Sequence, residues 1–187
     1  MRLSTVVISA LGLFLLDRYQ QSEAVVFKFT NFQCESYNRS WFVFHECRLR
    51  AISRTKVILN MNGTILYPAN RILTQFILFK RDNGYKPWLV NVRIDACRFV
   101  KQNYNPVAKI IFSLFQEFSN INHTCPYMGP QILQGFYLRP EKLIRPLPNG
   151  DYMLAIIWNF DRRPQFDTNI SFTFAEDLSK TNNKHYI

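Results

Sequence analysis

Apolar and polar residues alternate with a period of two through most of the chain, the pattern of half-buried strands. Val25, Phe27 and Phe29 share one face of a first predicted strand. Trp41, Val43, His45, Cys47 and Leu49 share a face of the second, while Phe42 and Phe44 make its other face partly apolar. Val57, Leu59 and Met61 predict a third strand, and residues 72–81 (ILTQFILFKR) a fourth. Asp82-Asn83-Gly84 then predicts a hairpin, because Asn-Gly tolerates the positive φ that such turns demand. In a fifth run Trp88, Val90, Val92, Ile94 and Ala96 alternate against Leu89, Asn91, Arg93 and Asp95. Residues 132–138 predict a further strand, and the proline-rich stretch 140–148 a crossing loop. Two more runs follow, Tyr152, Leu154, Ile156, Trp158 and Phe160, then Phe166, Thr168, Ile170, Phe172 and Phe174.

One stretch breaks this period. Val107, Ile110, Ile111, Leu114, Phe115 and Phe118 recur at helical spacing and form a single apolar stripe. Asn105 is a good N-cap and Pro106 suits the first helical position. The spacing predicts one amphipathic helix from about 106 to 120, docked through Ile110, Ile111, Leu114 and Phe115. Lys109, Ser113, Gln116 and Glu117 fall on its polar face. Seven or eight short strands with turn signals between them predict a mainly β, Ig-like antiparallel β-sandwich, its two sheets ~10 Å apart. With no repeat, low-complexity tract or linker, residues 25–175 read as a single sandwich domain and residues 176–187 as a polar C-terminal tail.

The first two dozen residues set the compartment. Arg2 precedes an apolar run at 6–16, then polar residues, and Ser22-Glu23-Ala24 supplies the small residues a signal peptidase needs. The run falls short of the ~20 residues that span a bilayer, so residues 1–24 read as a signal peptide cleaved after Ala24. The protein is accordingly expected to be extracellular and not an integral membrane protein. Cys34, Cys47, Cys97 and Cys125 are an even set that can pair in an oxidising lumen. Four cysteines allow three connectivities. Cys34–Cys47 and Cys97–Cys125 are preferred, since the first pair flanks a hairpin near 37–40 and the second joins a strand end to the residues after the helix. Asn38, Asn62, Asn122 and Asn169 each begin an Asn-x-Ser/Thr sequon, predicting a glycoprotein.

The net charge of +10 suggests an anionic partner, but the basic residues are scattered and no nucleic-acid module is visible. Nucleic acid is therefore not an expected partner. His45, His123 and His185 have no metal-ligand partner at i+2 or i+4, and no nucleophile elbow or phosphate-cradling loop occurs. No catalytic residues, metal or cofactor are predicted. Asp95 beside Cys97 reads as a strand end next to a half-cystine. The aromatic content is more informative: 17 Phe, 9 Tyr and 3 Trp line either a filled core or an apolar cavity between the sheets.

The order of motifs from Phe29-Thr30-Asn31, Cys34-Glu35 and Cys47-Arg48-Leu49-Arg50-Ala51 onward resembles a family of secreted insect proteins of uncharacterised function. It continues through Lys80-Arg81-Asp82-Asn83-Gly84-Tyr85-Lys86-Pro87 and Asn91-Val92-Arg93-Ile94-Asp95-Ala96-Cys97-Arg98-Phe99. Asn120-Ile121-Asn122-His123-Thr124-Cys125-Pro126-Tyr127 and Pro148-Asn149-Gly150-Asp151-Tyr152 complete it, so the resemblance covers roughly residues 27–175. The family includes proteins proposed to act in contact chemoreception and is remotely similar to the ganglioside activator and ML lipid-recognition domains. The resemblance implies an ML-like sandwich with a lipid-sized cavity and transfers no catalytic residue.

Two functions follow as expectations. The leading one is a non-enzymatic secreted binding protein for a small apolar or lipid-like ligand, with chemosensation as its expected setting. Trp88, Trp158, Phe160 and Phe172 would line its interior, and Lys80, Arg81 and Lys86 near the mouth would favour an anionic head group. The alternative is a protein–protein interaction module with a filled core that binds a protein receptor. An apolar cavity of several hundred Å³ would favour the first.

Overall fold

The computed structural model describes residues 25–54, 56–143 and 147–176. The segment read as a signal peptide, most of the predicted tail with His185, and residues 144–146 of the predicted crossing loop lie outside them. Eight strands run in chain order: β1 (Val26–Ser36), β2 (Phe42–Ala51), β3 (Val57–Ala69), β4 (Ile72–Arg81), β5 (Tyr85–Asp95), β6 (Tyr127–Phe136), β7 (Gly150–Phe160) and β8 (Arg163–Ala175). They form a five-stranded sheet, ordered β1-β8-β7-β4-β5, and a three-stranded sheet, ordered β2-β3-β6. Every pairing is antiparallel. The protein is a β-sandwich, and residues Val26–Ala175 form one compact unit.

The alternation read from sequence sets the inner faces. On β4, Ile72, Thr74, Phe76 and Leu78 are buried; on β8, Phe166, Thr168, Ile170, Phe172 and Phe174 are. The β4–β5 hairpin turns at Asn83 (φ 50°) and Gly84 (φ 102°), as the Asn-Gly pair requires.

The second strand departs from the expected pattern. Phe42 is fully buried and Phe44 packs beside it, while His45 is exposed and meets the Thr64 hydroxyl at 2.9 Å. The register of β2 against β3 shifts between Phe44 and Glu46. This β-bulge adds one residue and reverses which side chains point inward, so Cys47 and Leu49 become half-buried beyond it. The expected common face of Trp41, Val43, His45, Cys47 and Leu49 is thus split in two. A like shift between Phe29 and Asn31 in β1 lets Phe29 and Phe32, an odd and an even position, both face the interior.

Two α-helices occur among the described residues. Helix α1 (Ala96–Gln102) replaces the expected end of the fifth strand. Asp95 caps it, its Oδ1 accepting the Arg98 N–H at 3.0 Å, and Asn103 ends it in the left-handed conformation (φ 48°). A capping carboxylate thus overrides the alternation that reached Ala96. Helix α2 (Pro106–Phe115) starts where predicted, with Asn105 Oδ1 accepting the Ala108 N–H at 3.0 Å. It stops short of residue 120 because a 3-10 turn, Gln116–Phe118, tightens its end.

The disulfides are Cys34–Cys47, joining β1 to β2, and Cys97–Cys125, tying α1 to the segment before β6. The densest part of the core gathers Phe42, Ile65, Ala69, Ile72, Tyr127, Phe160 and Phe166. Gly63 sits beneath the Phe42 ring, where a Cβ would overlap it.

Candidate functional site: an apolar cavity between the sheets

Away from that cluster the two sheets do not close on each other. A cavity of about 460 Å³ lies between them, within the range of small-molecule sites. Leu154, Ile156 and Trp158 of β7 and Ile170 and Phe172 of β8 form one wall, extended by Leu78 of β4 and Val90 of β5. Phe27, Phe29 and Phe32 of β1 continue that wall at the edge of the same sheet, and Met61 of β3 and Leu133 and Phe136 of β6 form the facing one. Helix α2 supplies Val107, Ile110, Ile111, Leu114 and Phe115, and Leu138, Leu143 and Leu147 come from the β6–β7 connection. Among the described residues of this lining Thr168 is the one with a hydroxyl or amide side chain, and none is charged.

The helix explains why the space exists. Three strands do not cover five, and α2 packs against β5 to cover part of the remainder. Its stripe faces inward, as its spacing predicts, yet Ile110, Ile111, Leu114 and Phe115 stay half-buried because they border a void. Ala108 alone in α2 is fully buried. A smaller cavity, about 60 Å³, adjoins the first and shares Met61, Phe115, Ile121 and Trp158 with it. Trp158, stacked 5.5 Å from Phe166, is one side chain bordering both.

The aromatic residues singled out from sequence separate in space. Trp158 and Phe172 line the larger cavity. Phe160 borders only the smaller one and belongs to the dense core. Trp88 lines neither and packs 5.4 Å from Tyr152. Tyr152 in turn stacks 5.4 Å from Phe172 and is fully buried, its hydroxyl donating to the Pro148 carbonyl. Lys80, Arg81 and Lys86 do not line the cavity either. Lys80 Nζ lies 5.7 Å from the Trp88 ring centre and 5.9 Å from that of Tyr152, and Lys86 Nζ is 4.0 Å from Asp82 Oδ2. Arg81 is exposed on the next position of β4. The wall residues that the sequence reading missed, such as Met61 and Leu133, carry the same alternation as any core residue.

Among the described residues no group of three or more His, Cys, Asp or Glu side chains gathers where a metal could sit. His123 stacks on Tyr127 at 4.1 Å. Burial pushes the Tyr127 and Tyr152 phenols above their ordinary range, although the His123 carbonyl that accepts the Tyr127 hydroxyl works against the first shift. The sequon asparagines are spread over the surface. Asn38 lies in the β1–β2 turn, accepting from the Ser40 N–H and hydroxyl, and Asn122 is exposed before β6. Asn62 on β3 and Asn169 on β8 alternate with cavity-lining neighbours and point to the outer faces.

A family described as a protein of unknown function (DUF1091) matches residues 74–154. Over those residues, which run from β4 into β7 and include both helices, the chain is similar to an uncharacterised family. No match is found among curated proteins. Among the described residues no helix is long and apolar enough to cross a membrane.

Proposed function

We propose that this protein is a secreted, glycosylated, non-enzymatic carrier of a small hydrophobic or lipid-like ligand. The cavity of about 460 Å³ with its almost wholly apolar lining carries this reading. A void of that size forfeits dispersion contacts and costs stability, so a fold that keeps one gains by filling it with hydrocarbon. Each methylene moved from water into such a site contributes ~0.8 kcal/mol, enough for micromolar affinity with a single long chain. The two disulfides support an oxidising, extracellular setting. The resemblance to insect chemosensory-type secreted proteins, with their remote similarity to ML domains, favours a carrier that serves chemosensation. An interaction module with a filled core would leave the cavity unexplained.

Native mass spectrometry of the protein isolated from its own extracellular source tests the reading. The expected result is a lipid-like adduct that survives gentle ionisation and is released on denaturation. A protein recovered without any adduct, and unable to acquire one from a lipid extract, would overturn it.

A further inference from the structure

Resting on the carrier reading, the geometry points to Lys80 as the anchor for a single anionic head group, which makes the ligand a single-chain anionic amphiphile. Inner-face positions on β4 alternate, and Lys80 is the next such position after Leu78, the last β4 residue in the cavity wall. Its neighbours continue that wall by one layer. Its ammonium lies 5.7 and 5.9 Å from the adjacent Trp88 and Tyr152 rings, and Tyr152 stacks on Phe172, a wall residue. A side chain at Gly150 would come within 3.2 Å of the Lys80 Cε, so the glycine leaves room for the lysine stem.

Among the described residues the other nearby cations are paired or point elsewhere. Lys86 pairs with Asp82, and Arg81, one residue on, points to the opposite face of β4. Behind Leu138 and Leu143, Arg139 and Lys142 both pair with Glu117, at 2.9 and 3.4 Å. Lys80 takes part in no ion pair among the described residues. A half-buried lysine whose ammonium faces two aromatic rings from one side, at the end of a hydrocarbon cavity, is suited to a carboxylate or phosphate whose chain fills the cavity.

The test compares hexadecanoic acid, its methyl ester and hexadecyl phosphate as competitors of a bound fluorescent probe, on the wild-type protein and on Lys80→Gln, Lys80→Arg and Arg81→Gln variants. The wild type should bind the acid and the phosphate about tenfold more tightly than K80Q does, since a hydrogen bond to a charged partner is lost. The ester should bind the two equally, K80R should recover most of the acid affinity, and R81Q should match the wild type. A preference for acid over phosphate would identify a carboxylate ligand, and the reverse a phosphate, within the same anchor. Ester binding as tight as acid binding in the wild type, or equal losses of ester and acid in K80Q, would overturn the anchor and leave the carrier standing. Failure of all three competitors to bind would overturn the carrier reading itself.

Discussion

The Phe42 ring of β2 lies stacked on the Phe166 ring of β8, centroids 3.9 Å apart and planes within 17°. This contact joins the two sheets at the closed end of the sandwich, where Phe44, Trp158 and Phe160 also meet Phe166. Its geometry depends on Gly63, which pairs with Phe44 across the β2–β3 ladder and has no Cβ to push the Phe42 ring away.

A Gly63→Ala substitution should therefore displace Phe42 and cost about 1–3 kcal/mol of stability by overpacking. Denaturant unfolding measures this directly. An unchanged midpoint would mean that the Phe42–Phe166 stack does not hold the sheets in register.

The disulfides close loops of different length, with sequence separations of 13 for Cys34–Cys47 and 28 for Cys97–Cys125. On chain-entropy grounds each stabilises by about 3 kcal/mol, the longer loop slightly more. Replacing Cys97 and Cys125 together by Ala should lower the unfolding midpoint at least as far as replacing Cys34 and Cys47. Peptide mapping that links Cys34 to Cys97 or Cys125 would refute both the pairing and this order.

Changing Leu114 to Asp would put a carboxylate on the cavity wall contributed by α2. The expected cost is about 2–4 kcal/mol, with poor secretion and loss of hydrophobic ligand. Normal secretion, melting and binding of that variant would show that the helical stripe faces solvent.

Tyr37 offers a pH-dependent readout remote from the cavity. Although the ring is about half exposed, partial burial first, then the hydrogen bond and charge of Asp167 and the charge of Glu35, push its phenol up to about 12 from the ordinary 10.0. The folded protein thus favours the neutral phenol. Its contribution to stability is complete below about pH 10 and is lost as pH rises towards 12. Ultraviolet titration of the folded protein should show a late-ionising phase that is smaller by one tyrosine in Tyr37→Phe. A variant with the same late phase would assign it elsewhere, to Tyr127 or Tyr152.

Much of the fold was legible because burial and alternation coincide. Residues 72–81 were delimited from sequence as the fourth strand, and Asn83-Gly84 marks the turn by its backbone tolerance alone. Asn105-Pro106 marks the start of α2 in the same way. The bulge between Phe44 and Glu46 left no such mark, since a single inserted residue leaves apolar residues on both faces of β2. Helix α1 was hidden because Ala96 continued the alternation, while the Asp95 cap that decides the matter reads as an ordinary polar position. The cavity was the least legible feature. Trp88 and Trp158 sit in equally regular patterns, yet Trp158 borders both cavities and Trp88 neither. Whether facing rows touch depends on sheet spacing, and alternation within one strand carries no information about that.

If the space between the sheets is a ligand site, a variant that fills it must lose the ligand. Ile170 is buried at the middle of β8 and lines the larger cavity, so Ile170→Trp should place its ring in the void without displacing packed atoms. Displacement of a fluorescent fatty ligand would be measured on the folded wild type and on the variant, with melting temperatures recorded for both. Saturable, single-site binding is expected of the wild type, weakened at least about tenfold in the variant, whose melting temperature is equal or higher. Absence of saturable binding by the wild type up to ~100 µM, or identical binding by the two proteins, would contradict it.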